Sequence, residues 1–249
     1  MAHDTVKRGG GDAAASTPRG PSLRGVPFLK LGESEPIELL SNAQQQQLAR
    51  HAFMRVFPAR TIVYRAGAPA DSVFIIGDGV VKSFRDLPSG RRRIAAFFFA
   101  RDLFGLAKAG RYVNTVQTLT PVRAYRLDVI ALTELFQSDP GLELPFLCKT
   151  MHVRREAQHH NIIVGRRDAI GRLAMLLRLL QTQFEATNGN PDVPIPMTKS
   201  DMANYLGLSL EAVVRASRGL QRQGIVQFLG RHHARIIDQG RFEALASNV

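Results

Sequence analysis

Apolar and polar positions along the 249-residue chain change their rhythm twice. From Phe53 to Leu127 the apolar residues come in short β-rich runs: Thr61–Tyr64, Val73–Ile76, Val80–Phe84, Ile94–Phe99, Tyr112–Leu119 and Val122–Leu127. Turn residues part them at Gly67, Gly77-Asp78-Gly79, Pro88-Ser89-Gly90 and Thr120-Pro121. Short strands at this spacing predict an antiparallel roll or barrel. After Asp128 the period lengthens. Asp128 is placed to cap a helix to about Gln137, which Ser138-Asp139-Pro140 ends. A long helix is expected over 142–164, with Phe146, Val153, Ala157 and Val164 on one stripe and polar Thr150 and His160 between them. Ile170, Leu173, Leu177, Leu180 and Phe184 repeat at three and four residues and predict a second helix over 168–186. Residues 187–196 read as a loop. Ahead of the roll, Ser41 or Asn42 can cap a short helix leading towards Phe53. Residues 1–26 have no periodic apolar face and are expected to form a disordered tail.

The sharpest local pattern runs from Met197 to Leu220. Thr198 with Asp201 three residues on is a capping-box pair, and Met202, Ala203 and Leu206 give the helix that follows one apolar side. Gly207 can take the left-handed conformation that a tight interhelical turn requires. Ser209 can cap the next helix. There Glu211, Arg215, Arg218 and Arg222 recur at four, three and four residues, opposite Val213, Ala216 and Leu220. A helix seated in a DNA major groove needs this division. Its first turns meet base edges, where Arg can clamp guanine and Glu can accept from cytosine N4. Arg218 and Arg222, further along, are expected at phosphates. An ordinary solvated helix also tolerates a Glu211–Arg215 pair, worth about 0.2–0.5 kcal/mol. Ile225–Phe228, a turn at 230–233 and Ala234–Ile237 predict a hairpin, the wing of a winged helix, with Arg231 at a phosphate.

Charge sharpens the picture. Lys and Arg number 33 against 21 Asp and Glu, a net +12 that suits a polyanion. The single cysteine, Cys148, excludes an internal disulfide, a CxxC zinc site and a self-contained four-cysteine iron–sulfur cluster, and it suits a reducing cytosol. No apolar run reaches roughly 18 residues, so no membrane span is expected. The N-terminus lacks a secretory apolar core, and the expected compartment is the cytoplasm. No GxSxG, P-loop or HExxH is present, so an enzyme is not expected.

In combination these features resemble the CRP/FNR superfamily of transcription regulators, and most nearly its FixK-type branch, over about residues 36–240. The resemblance rests on Gly67 and Gly79 at roll turns, Pro88-Ser89-Gly90-Arg91 in a hairpin, Asp102-Leu103-Phe104-Gly105 at the roll's end, and Asp201–Arg215. It implies an α+β chain: an antiparallel β-roll over 27–140, like a cyclic-nucleotide-binding jelly roll, a dimerisation helix over 141–164, and a winged helix-turn-helix DNA-binding domain over 165–249. It implies a homodimer, with Phe146, Val153, Ala157, His160 and Val164 at its interface, on a two-fold symmetric site in double-stranded DNA. Base contacts would come from Leu210, Glu211, Val214 and Arg215. Phosphate contacts would come from Thr198, Lys199, Ser200, Ser209, Arg218, Arg222 and Arg231. RNA polymerase would be a further partner, in activating microoxic, anaerobic, nitrogen-fixation or nitrogen-oxide genes. In this branch the recognition helix carries Glu, then Ser-Arg three and four residues on. Here Val214 stands at the serine position and puts apolar surface where a hydroxyl is usual.

No cofactor is expected. The cyclic-AMP-binding members carry Gly-Glu and Arg-Ser/Thr-Ala, whereas this chain has Gly105-Leu106, and Arg111 is followed by Tyr112-Val113-Asn114. No cysteine precedes Cys148, against an FNR-type cluster. The alternative is a ligand-gated regulator whose roll takes a cyclic nucleotide or a haem. Cys148 reads as a buried, inert thiol. His152 and His159 lie about two turns apart on one helix, too far for one metal ion from one chain. Arg91-Arg92-Arg93 reads as a solvated hairpin edge.

Overall fold

Residues 40–166, 168–188 and 192–247 are described in the computed structural model, and the tail expected over 1–26 lies outside them. The chain enters through α1 (Asn42–His51), whose N-terminus is closed by a reciprocal Ser41–Gln44 capping box. Ten strands follow: β1 (Ala52–Phe57), β2 (Ile62–Tyr64), β3 (Ser72–Asp78), β4 (Val81–Asp86), β5 (Arg92–Phe98), β6 (Leu103–Phe104), β7 (Ala107–Lys108), β8 (Arg111–Tyr112), β9 (Thr115–Thr118) and β10 (Val122–Asp128). They form antiparallel sheets in the orders β1-β10-β3-β6 and β2-β9-β4-β5, plus a β7–β8 ribbon. Strand alternation sends Phe74, Ile76, Phe104, Val122 and Ala124 of the first sheet against Val81 and Val116 of the second. Gly79 makes the β3–β4 turn at φ +95°, where a Cβ would sit 2.3 Å from the Pro121 carbonyl oxygen.

Several strands depart from the expected pattern, with β1, β6 and β7 outside the predicted runs. β1 was not anticipated, because as an edge strand it leaves Phe53 and Val56 exposed and hides the apolar-in, polar-out alternation. The run 112–119 breaks into β8 and β9 around Val113-Asn114. Helix α2 (Val129–Ser138) does begin after Asp128, but that carboxylate makes no cap bond. It accepts from Ser72 Oγ and pairs with Arg126 at 2.9 Å, partners the sheet supplies.

A 3-10 turn at Pro140–Leu142 leads to α3 (Glu143–Gly165), followed by α4 (Ala169–Asn188). Then come β11 (Asp192–Pro194), α5 (Lys199–Leu206), α6 (Leu210–Arg222), β12 (Val226–Leu229), β13 (His233–Ile236) and α7 (Gln239–Ala246). The wing is a three-stranded sheet, β11-β13-β12, because Val193, in the expected loop, pairs with Ala234. Leu173, Leu177 and Leu180 of α4 pack with Val213 and Leu220 of α6 and Phe242 of α7. That apolar cluster runs on into the roll through Phe84, Ile94, Phe97 and Phe99. Phe99 meets Phe184 edge-on with ring centres 5.8 Å apart.

Helix α3 has two apolar faces, which corrects the expected interface stripe. Phe146 is buried edge-on against Phe136 at 5.2 Å. His160, 6% exposed, stacks on Tyr205 at 4.1 Å and donates Nε2–H to the Tyr205 carbonyl at 2.7 Å. Val164 lies against the Gly207 turn. Phe146 and His160 are therefore taken up by contacts with α2 and α5 of the same chain, and half-buried Val164 touches the turn after α5. Phe146 and His160 thus lie on a face that the helix buries at home. The side chains of Val153 and Ala157 lie outside the described residues. Leu144, Leu147, Met151 and Ile162 occupy the outer face and are exposed.

Burial lowers the pKa of His160; the bond to the Tyr205 carbonyl opposes this and the Arg93 charge adds to it. A folded pKa below the unfolded value of about 6.5 means that this stability is full above about 6.5 and is lost as pH falls through the folded value. The thermal midpoint should accordingly drop between about pH 7 and 5. His160→Gln, which keeps a donor for the carbonyl, should flatten that slope, and identical slopes would remove His160 as its source.

Candidate nucleic-acid interface

Two capped helices and a glycine turn build the site. Thr198 Oγ1 accepts from the Asp201 N–H at 3.1 Å, and Asp201 Oδ2 accepts from the Thr198 N–H at 3.2 Å. Asp201 Oδ1 takes a third bond at 2.6 Å from Lys82 Nζ of β4, with both side chains 9% exposed. Tyr205 lies against Phe97 of β5 on one contact and His160 of α3 on another, with ring centres 4.9 and 4.1 Å away. The first helix of the pair is thus pinned to the roll. It ends at Gly207 with φ +64°. Arg172 Nη1 donates to the Leu206 carbonyl at 2.8 Å, satisfying one of the acceptors that every helix end leaves open.

Ser209 caps α6 by accepting from the Ala212 N–H at 3.1 Å. Val213, Ala216, Ser217, Gly219 and Leu220 are buried. Leu210, Glu211, Arg215, Arg218 and Arg222 are exposed, and Val214 is half-buried. At about 100° per residue, Leu210 and Val214 form one edge of the outward arc, Glu211 and Arg215 the other, with Arg218 between them. Arg215, Arg218, Gln221 and Arg222 line an open depression of about 620 Å³. Gln221 escaped the sequence reading, although it follows Val214 by seven residues and so shares its edge.

The Glu211 carboxyl is held below the usual carboxylate range by its own backbone N–H and by the Ser209 hydroxyl, with Arg215 adding. At neutral pH it is an acceptor-only group beside a guanidinium. Thr198, Lys199 and Ser200 are exposed at the start of α5, and Arg231 at the tip of the wing. The four residues expected at base edges therefore share the first two turns of one outward face. The seven expected at phosphates are exposed on α5, α6 and the wing, Ser209 among them.

The interior of the roll is filled by aromatic rings. Tyr64 stacks on Tyr112 at 3.7 Å, and Phe74 on Phe104 at 5.1 Å. Tyr112 Oη donates to the Ser72 carbonyl, and Arg111 Nη1 to the Gly67 carbonyl at 2.7 Å. A cyclic nucleotide needs a carboxylate for its ribose and a free cation for its phosphate. Leu106 follows Gly105 and Arg111 is engaged with backbone, so these residues do not fit one. Among the described residues no group of three His, Cys, Asp or Glu could hold a metal ion, and no helix is long and apolar enough to cross a membrane. Cys148 is buried, and burial pushes its thiol pKa up. In the triple-arginine stretch, Arg92 pairs with Asp86 and lies 3.9 Å from the Phe84 ring, while Arg91 and Arg93 are exposed.

A cyclic nucleotide-binding domain model matches residues 54–139, and a Crp-like helix-turn-helix domain model matches residues 171–245. The nitrogen fixation regulation protein FixK of Bradyrhizobium diazoefficiens is 29% identical over 179 residues, covering 71% of this chain and 74% of that protein. FixK of Azorhizobium caulinodans is 27% identical over 194 residues, with 77% and 78% covered. Among solved structures, FixK2 from Bradyrhizobium japonicum superposes with a TM-score of 0.72 at 26% identity, covering 80% of this chain and 98% of that one. A CRP-family regulator from Thermus thermophilus shares the fold, with a TM-score of 0.67 over 78% of this chain at 18% identity. The roll, the capped helix pair and the wing thus recur together, and the chain belongs to the CRP/FNR superfamily of transcription regulators, with a helix-turn-helix DNA-binding domain.

Proposed function

We propose that the chain acts as a homodimer that reads a two-fold symmetric DNA site. Leu210, Glu211, Val214 and Arg215 take base edges. The cations Lys199, Arg218, Arg222 and Arg231 and the hydroxyls of Thr198, Ser200 and Ser209 take phosphates. The observation that carries this reading is the outward arc of α6: its first two turns present a carboxylate and a guanidinium one turn apart, on a helix whose other side is core. The outer face of α3, with Leu144, Leu147, Met151 and Ile162 in solvent, is the surface a second copy would cover. Similarity to proteins named for nitrogen fixation regulation and transcriptional activation supports control of nitrogen-fixation genes by activation; low-oxygen genes, RNA polymerase as partner and a cytoplasmic setting are what the family resemblance implies. The filled roll supports a regulator that needs no nucleotide.

A mobility-shift titration on an FNR-like palindrome of about 14 base pairs tests the reading. Arg215→Ala should cost about 1–3 kcal/mol on that site, roughly 5- to 150-fold in affinity. Unchanged affinity would reject the role given to Arg215.

A further inference from the structure

We infer that Val214, with Leu210 beside it, detects the 5-methyl group of thymine, so that each half-site carries a thymine next to the base pair met by Arg215. The inference rests on α6 being the DNA-reading helix. That helix sorts its residues sharply, yet Leu210 is 47% exposed at its first turn and Val214 is only half-buried one turn on. Both sit at one edge of the outward arc, and the guanidinium groups of Arg218, Arg222 and Arg215 along the rest of it draw the helix to a polyanion.

In the major groove one base edge alone offers an apolar partner, the thymine C5-methyl; the others show ring nitrogens, carbonyls and amino groups. Val214 has no hydrogen-bonding atom. Placed against guanine, adenine or cytosine it would strip water from a donor or acceptor and return nothing, so it rejects those bases as well as favouring thymine. A valine in a helix is held in essentially one χ1 rotamer, so its two methyls are aimed before DNA arrives. Successive residues point about 100° apart, which sends Val214 and Arg215 to neighbouring base pairs.

The test uses the full chain and the tightest duplex selected from a random-sequence pool. Thymines of the half-sites are replaced one at a time by deoxyuridine, which deletes the methyl and nothing else. One position should lose about fourfold in affinity, the value of one buried methyl, and about fifteenfold when its symmetry mate is replaced too. In Val214→Ser the loss at that position should shrink below about twofold, while Arg215→Ala should weaken thymine and deoxyuridine duplexes alike. The inference is overturned if no replacement matters by more than twofold, or if the loss persists in Val214→Ser. Failure to select any duplex above background would instead remove the DNA-reading role itself, and this inference with it.

Discussion

Replacing Lys82 with methionine should lower unfolding stability by about 3–5 kcal/mol, a large share of what a domain possesses. The side chains have similar length and the site stays filled, so packing contributes little. What changes is charge. Asp201 keeps its bonds from Thr198 but loses the ammonium 2.6 Å away, leaving a carboxylate 9% exposed with no close counter-ion. Arg92, whose guanidinium also feels Asp201, is the nearest relief and sets the loss towards the lower end. Pairing Lys82→Met with Asp201→Asn should return most of the stability, since no charge is then buried and the asparagine oxygen can still accept from the Thr198 N–H. Denaturant titration followed by far-ultraviolet circular dichroism reads both variants. A Lys82→Met protein as stable as the parent would show that the pair contributes nothing. The consequence reaches DNA as well. Asp201 lies in the first turn of α5, and α5 packs on α6, so the same pair ties the proposed reading helix to the roll.

That tie marks the limit of what the sequence discloses. Thr198, Gly207 and Ser209 announce their roles within three or four residues, because capping and left-handed turns are local events. The division of α6 is equally legible, since 3.6-residue periodicity needs no tertiary partner. Lys82 and Asp201 are 119 positions apart, and nothing near either residue names the other. The one available hint was a lysine inside the apolar run Val80–Phe84, which a buried strand tolerates only with a counter-charge. Helix α3 misled for a related reason. It buries one apolar face on its own chain and exposes another, so a single stripe cannot say which face is which. β11 and α7 are short, and β11 exists because β13 is there to pair with it.

Salt should produce the steepest response of all. If Lys199, Arg218, Arg222 and Arg231 of two protomers each neutralise a phosphate, about eight condensed counterions leave on binding, and log K should fall against log salt with a slope of about −7. Between about 50 and 200 mM salt the affinity should then drop roughly 10⁴-fold. All four side chains are exposed and have no ion pair among the described residues, so each is available to the backbone. The net charge of +12 does not predict this number: distant charges speed encounter and are screened, whereas the slope counts only phosphates touched. Arg218→Gln with Arg222→Gln removes four of the eight contacts in a dimer and should bring the slope to about −3 or −4 on every sequence. Arg215→Ala, at a base edge, should lower affinity for the selected site and leave the slope nearly unchanged. Equal slopes for the parent and the double variant would take α6 off the backbone. A slope change in Arg215→Ala as large as in the double variant would move Arg215 from the bases to the phosphates, and with it the division of labour along this helix.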